Sequence, residues 1–314
     1  MKVCVKVPAT TANLGPGFDC LGMALPIFNT ITIEETVIPN SGIEINVFSD
    51  NENLTTESIP TDSNNIAYKA VELLYNSIGQ SPGELKITIS TDIPIARGLG
   101  SSASVIVGVL IAANELLGAP ADEAALLSIA TEVEGHPDNV APAILGGLVL
   151  VSREDDDSIV YSKMIWPKDW SLVMCIPDYE LSTDISRSVI PECIPIQDVE
   201  FNLRRVAMFV QAVNTRDENL MKNALLDKIH QPYREKFIPG FSEIRESLKY
   251  EQNVLGCVLS GAGPSVLVIA NDNKVDNIRQ KVSEIWGRLN INSSIEIMSV
   301  EERGAYIVDD LRKK

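Results

Sequence analysis

Apolar and polar residues alternate at residues 2–7 (KVCVKV) and again at 85–91 (LKITIST). A period of two places one set of side chains on a buried face, so both stretches are predicted strands. Residues 8–22 (PATTANLGPGFDCLG) read as a loop, followed by an apolar stretch to about Ile33. Residues 49–65 are polar and carry turn signals. Asn65 then opens a predicted helix with Ile66, Ala70, Leu73 and Leu74 along one face. From Ser102 to Leu117 the residues are apolar nearly all round, which marks a buried helix. A second helix over 121–133 follows Pro120, and 147–151 with 158–163 form a hairpin.

Beyond Trp166 the pattern predicts a strand at 172–176 and helices at 200–213, 216–228 and 241–249. A strand pair at 254–260 and 265–270 surrounds SGAGPS, and a helix at 273–288 and a strand at 295–300 complete the region. Strands and helices interleave in both halves and hairpin pairs recur. The expected class is therefore α+β with mixed or antiparallel sheets.

Composition narrows the functional classes. A length of 314 residues suggests about two domains, and 45% hydrophobic residues suffice for real cores. The net charge of −17 argues against nucleic acid or an anionic membrane as the main partner, since phosphate backbones need clustered Lys and Arg. It leaves room for an anionic small ligand, which needs only local donors. Cys4, Cys20, Cys175, Cys193 and Cys257 form no C-x-x-C pair and are widely spread. Reduced, mostly buried thiols are expected rather than a disulfide framework or a zinc site. MKVCVKVPAT lacks the apolar run of a signal peptide, and the longest apolar run, 105–113, is short for a membrane span. The expectation is a cytoplasmic protein. The acidic run 154–157 reads as a solvated turn, because its spacing fits no calcium loop.

The candidate chemistry centres on PIARGLGSSAS, residues 94–104. A strand, a glycine-rich loop and a helix aim free backbone N–H groups and the positive end of a helix dipole at one point. Two glycines and three serines exceed what a plain turn with a cap requires, so the loop is a candidate phosphate cradle. It holds no lysine and is not a Walker loop. Gly98 to Ala103 match G-x-G-x-x-[GA], yet a second helix follows the first and Asp122 and Glu123 fall in its first turn. The context of a dinucleotide-binding oxidoreductase is missing.

Asn13 and Asp19 lie six apart in one glycine-rich loop. Asp19 could pair with an ammonium group or close an Asx turn. Arg187 and Arg234 are candidates to clamp a carboxylate, or to form ordinary surface ion pairs. His136 sits between Gly and Pro, hence in a turn where it could hydrogen-bond a substrate; His230 is either a site residue or a structural one. Two histidines so placed do not make a metal cluster.

PIARGLGSSAS resembles the nucleotide loop of the GHMP kinases, which include galactokinase, homoserine kinase, mevalonate kinase and phosphomevalonate kinase. PATTANLGPGFDCLG resembles their first motif and SGAGPS their third, in the same order along nearly the whole chain. The first motif and EGHPDNVAPAILGG (134–147) are similar to the homoserine kinase branch in particular. The resemblance implies a two-lobed fold: an N-terminal ribosomal-protein-S5-like domain, expected over 1–163, and a C-terminal ferredoxin-like domain over 164–314. It implies an ATP-dependent kinase for the hydroxyl of L-homoserine, a step of threonine biosynthesis, with a homodimer as the base-rate assembly. ATP would lie on Pro94, Ile95, Ala96, Arg97, Gly98, Leu99, Gly100, Ser101, Ser102, Ala103 and Ser104, with Asn65 on the adenine side. Mg2+ would be held by Ser102 and Glu134, or by Glu132 in place of Glu134. The acceptor would meet Asn13, Asp19, His136, Thr183, Arg187, Arg234 and Gly261. Asp138 occupies the place of the family's catalytic base, although homoserine kinases have also been read as using none. Another GHMP small-molecule kinase is the alternative, and a non-catalytic binder a more distant one.

Overall fold

A computed structural model describes residues 1–36, 42–51, 54, 56–57, 59–271 and 275–308. β1 (Lys2–Ala12) and β2 (Leu21–Glu35) form a long antiparallel pair, with a register shift at Pro8/Ala9. β3 (Ile43–Phe48) runs parallel to β4 (Leu85–Thr91), which is antiparallel to β2; α1 (Ile66–Ser77) supplies the crossover that a parallel pair needs. β5 (Leu148–Arg153) pairs with the start of β2, and β6 (Ile159–Met164) pairs with β5. β11 (Tyr306–Ile307), from the far end of the chain, pairs with β1.

α2 (Ser101–Leu116), α3 (Glu123–Glu134) and α4 (Pro137–Leu145) pack with α1 on this sheet. Val5, Val7, Ile31, Ile33 and Ile87 from the strands meet Leu74, Val107 and Leu110 from the helices, all fully buried. Burial on every side explains why α2 has no polar face.

The second sheet consists of β7 (Ser171–Pro177), β8 (Val254–Leu259), β9 (Val266–Ala270) and β10 (Ser293–Met298). Its order β10-β7-β9-β8, antiparallel throughout, is that of a split βαβ sandwich. The helices here are α5 (Thr183–Ser188), α6 (Ile196–Thr215), α7 (Glu218–Ala224), α8 (Gln231–Arg234), α9 (Phe241–Leu248) and α10 (Asp276–Arg288). One core joins the two sheets: Leu21 of β2, with Leu14 and Leu99 from adjoining loops, packs with Leu172 of β7, Leu267 of β9, Phe209 of α6 and Leu225 at the end of α7.

The α+β class matches the expectation. Several elements do not follow the hydrophobic pattern. β1 continues through Ala12, so the first third of the expected loop is strand. The expected helix at 216–228 ends at Ala224, and the expected start of the last helix at 273 lies outside the described residues. β3, α4, α5, α8 and β11 have no counterpart among the predicted elements. α4 contains Pro137 and Pro142, which argue against a helix locally; Pro137 sits at the first helical position, where its missing N–H costs nothing, and nearly the whole helix is buried. α5 and α8 are too short to show a period. No helix of the described residues is long and apolar enough to cross a membrane.

Candidate active site

The three motifs converge at the junction of the two sheets. The Gly261 N–H donates to Ala12 O (3.1 Å), and the Asn13 amide donates to Gly261 O (2.9 Å). The Ser260 hydroxyl donates to Gly98 O (2.6 Å), the Ser265 N–H to Arg97 O (3.3 Å) and the Thr10 N–H to Leu99 O (3.1 Å). These bonds frame a cleft of about 320 Å³.

Packing and a left-handed backbone together dictate two of its glycines. Gly98 has φ +73°, and an added Cβ would lie 2.2 Å from Ser260 O. Gly100 has φ +64°, and its Cβ would lie 1.8 Å from Thr10 Oγ1. The loop is thus clamped between β1 and the 260–263 turn.

Gly100 caps α2 without a side-chain acceptor, so the leading N–H groups of the helix are left for another acceptor. The Ser102 hydroxyl donates to Glu134 Oε2 (2.7 Å). Glu134 is the last residue of α3; Gly135, in the left-handed region, ends that helix and His136 begins the next. Burial pushes the Glu134 carboxyl above its ordinary range, opposed by His136 and by the Ser102 bond. A carboxylate and a hydroxyl are the hard oxygen donors that Mg2+ accepts. Glu132 is exposed on an outer groove with Lys69 and Glu72, away from the cleft.

Residues Pro94 to Ser102 line the cleft, but the side chains of Ala103 and Ser104 do not. Both are fully buried, and the Ser104 hydroxyl donates to Ser101 O (2.8 Å) and accepts from Asn29 (2.6 Å). Arg97 reaches the carbonyls of Ile95, Pro177 and Asp178 at 2.9–3.1 Å; its guanidinium lashes the loop to the end of β7. Asn65 lines the apolar end with Val47, Ile66, Ile89 and Val105. Its amide is already engaged, accepting from the Ala67 N–H and donating to Pro60 O.

The other end carries charge. Arg187 holds Asp19 through two parallel bonds (2.8 and 2.9 Å). Asp19 closes no Asx turn among the described residues; instead its N–H donates across the loop to Asn13 Oδ1 (3.1 Å). Arg234 is 1% exposed and forms no ion pair among the described residues. It donates to Ser186 O (3.1 Å), Gly261 O (3.2 Å) and His230 Nδ1 (3.0 Å). Burial, then the charge of Arg187, pushes its guanidinium down to about 10, against the pull of Asp19, Asp138 and Asp227. A buried cation without an anion is a ready carboxylate site. Thr183, at the start of α5, and Gly261 also line this end.

His136 Nδ1 lies 2.6 Å from Oδ1 of the buried Asp138, in the first turn of α4 where the helix dipole favours an anion. Burial lowers the His136 pKa, but the bond and charge of Asp138, with Glu134 and Asp19, leave it raised. Asn139 donates to Asp138 Oδ1 (3.3 Å) and accepts from Thr10 (2.7 Å). Asp19, His136 and Asp138 bring ligand atoms within 4.8 Å of one another. Since Arg187 already holds Asp19, this grouping is a charge network rather than a metal cage.

Sequence reasoning missed Phe18, whose ring faces Arg187 (5.3 Å) and Arg234 (5.4 Å) and stacks on His230. It also missed Thr10, Asn139 and the apolar wall of Val47 and Ile89. Phe18, Thr10 and Asn139 stand inside the recognised motifs, and only that position marked them.

A helix N-terminus beside a carboxylate–hydroxyl pair, facing paired charges across one cleft, defines a small-molecule phosphotransferase. Residues 65–147 match the model of the GHMP kinases N terminal domain and residues 208–288 that of the GHMP kinases C terminal domain. The chain belongs to the GHMP kinase family, in its homoserine kinase branch. It is 40% identical to the homoserine kinase of Moorella thermoacetica over 97% of this chain and 99% of that one. It is 41% identical to the homoserine kinase of Carboxydothermus hydrogenoformans over 96% of each. The crystal structure of homoserine kinase from Cytophaga hutchinsonii superposes with a TM-score of 0.86 at 27% identity, covering 98% of this chain and 97% of that one.

Proposed function

We propose that this chain transfers the γ-phosphoryl group of ATP to the side-chain hydroxyl of L-homoserine, giving O-phospho-L-homoserine for threonine biosynthesis. The observation that carries the reading is the pairing of opposite demands in one cleft. The α2 N-terminus calls for a polyanion, while Asp19 with Arg187 and Arg234 calls for a zwitterion. The names of the curated relatives agree with it.

The leading N–H groups of α2 and the loop from Gly98 hold the phosphates, and the apolar wall takes the adenine. Ser102 and Glu134 fit Mg2+, which when bound offsets the charge of the β- and γ-phosphates. On the acceptor side, Asp19 takes the ammonium and Arg187 with Arg234 the carboxylate, leaving the hydroxyl toward His136 and Asp138. The hydroxyl oxygen attacks the γ-phosphorus as the bond to the β-phosphate oxygen breaks, and the proton passes to Asp138. Positioning and charge neutralisation supply most of the rate in such a transfer. The two lobes divide at 163/164 in this reading, and the enzyme works in the cytoplasm.

ADP release with homoserine, serine, threonine and mevalonate tests the assignment. Homoserine is the expected acceptor; turnover of mevalonate in its place would assign the cleft to another GHMP kinase. Asp138→Asn tests the proton route, since near-normal turnover would move the proton to the γ-phosphate.

A further inference from the structure

His230 has no part in the chemistry described above, yet it is completely buried beside the acceptor end of the cleft. Its two ring nitrogens are both engaged. Nε2 lies 2.7 Å from Gly15 O, which can only accept, and Nδ1 lies 3.0 Å from Arg234 Nη1, which can only donate. One protonation state satisfies both contacts: the neutral ring with its proton on Nε2. The ring is fixed from the other directions as well. Phe18 stacks on it at 5.4 Å and 27°. The fully buried Asp227 carboxylate accepts from the N–H groups of Ile229, His230 and Gln231 (2.7–3.1 Å), which fixes the start of α8.

We propose that His230 is the positioning residue of the acceptor site: its Nδ1 lone pair aims Arg234, and its neutral form keeps that guanidinium in the cleft. This rests on the reading of Arg234 as a partner of the acceptor carboxylate. Arg234 has three acceptors, and the other two are backbone carbonyls of Ser186 and Gly261. His230 is the only side chain among the described residues that hydrogen-bonds it. A protonated ring would present N–H to N–H at 3.0 Å and set two cations together. The charged groups around His230 are Asp227, Arg234 and Asp19; burial, with Arg234 adding to it, holds the imidazole below its ordinary pKa against the pull of Asp227.

His230→Leu removes the acceptor, whereas His230→Gln offers an amide oxygen to Arg234 and an amide N–H to Gly15. In the Leu variant KM for homoserine is expected to rise roughly 10- to 100-fold, the value of a hydrogen bond to a charged group, with KM for ATP nearly unchanged. The Gln variant restores most of the loss. An unchanged KM for homoserine in the Leu variant, or equal damage in both variants, overturns the proposal.

A second measurement needs no variant of His230 to fold. The chain has only two histidines, so 15N shifts of the imidazoles, assigned with a His136 variant, report the tautomer directly. The expected result at pH 7 is protonated Nε2 and bare Nδ1; a proton on Nδ1 refutes the arrangement. Should the wild type refuse homoserine, the functional reading fails, while the 15N result still decides how His230 meets Arg234.

Discussion

The two ends of the cleft are built from different materials. The phosphate end is backbone: amides at the start of α2, and a loop pinned by carbonyls and N–H groups of β1 and the 260–263 turn. The acceptor end is side chain: Asp19, His136, Asp138, Arg187 and Arg234 arrive from four segments spread over 216 positions, Asp19 to Arg234. Backbone donors are set by the fold and serve any triphosphate. Side chains can be exchanged one at a time, so selectivity for one small alcohol belongs at that end. The difference also separates two kinds of fragility, since damage to the clamped loop at the first end should disturb folding and ATP together, and damage at the second should disturb the acceptor alone.

The largest effect is expected at the carboxylate of the phosphate end, Glu134. Glu134→Ala should lower kcat by roughly 10²- to 10³-fold, the cost of deleting one preorganised electrostatic element, with melting temperature little altered. Glu132→Ala, on the outer surface, should leave kcat within about twofold. Steady-state kinetics on the pair checks this; equal effects would mean that the hydroxyl–carboxylate contact does not mark the metal side.

Next is the clamped loop. Gly100→Ala forces a methyl group to within 1.8 Å of Thr10 Oγ1 at φ +64°. A loss of about 2–4 kcal/mol in stability is expected, from overpacking plus backbone strain. Adding Thr10→Ala should recover part of it by removing the hydroxyl. Denaturant unfolding of the three variants measures both, and a Gly100→Ala protein as stable as wild type would remove packing as the reason for that glycine.

How much of this was legible follows the same division. The phosphate loop could be read because a backbone site leaves a local signature, GLGSS between an alternating strand and an all-apolar helix. The α+β class could be read for the same reason, from periods of two and of nearly four. Asp19 and Arg187 are 168 positions apart, and no spacing rule connects them; residue chemistry left each of them open between a ligand partner and a structural one, and only the resemblance to a family put both at one site. Their mutual ion pair was not anticipated, nor was Phe18 behind the two arginines, because a lone aromatic in a loop has no pattern to belong to. Likewise α4 was hidden by its two prolines, since the burial that makes the helix tolerable is tertiary. Ser104 was placed at the ligand by its position in the motif, and one more turn of α2 carries it into the core.

At the acceptor end, Arg187→Leu should raise KM for homoserine roughly 10- to 100-fold, the loss of a charge-assisted contact, while KM for ATP stays unchanged. Asp19→Asn should act in the same direction. Because the two groups hold each other at 2.8 and 2.9 Å, the double variant should cost less than the sum. Strict additivity in that cycle would mean that the pair is not one unit in solution.

The smallest effect concerns pH and sharpens the contrast most. His230 is fully buried, and its pKa is lowered from the ordinary 6.5, first by burial and then, against Asp227, by Arg234. A histidine depressed in the folded state binds its proton more readily when unfolded. Its neutral form therefore contributes stability that is complete above pH 6.5 and is lost as pH falls toward the folded value, by at most about 1.4 kcal/mol per pH unit within that window. Glutamine does not titrate, so His230→Gln should lose less melting temperature than wild type between pH 7.5 and pH 5, roughly 1–4 °C per unit for a chain of this size. The phosphate end has no histidine on α2 or its loop, and a Thr10→Ala control should follow the wild-type curve. If His230→Gln and wild type instead fall in parallel, the imidazole is not held neutral in the folded protein, and the acceptor end has no titrating element behind Arg234.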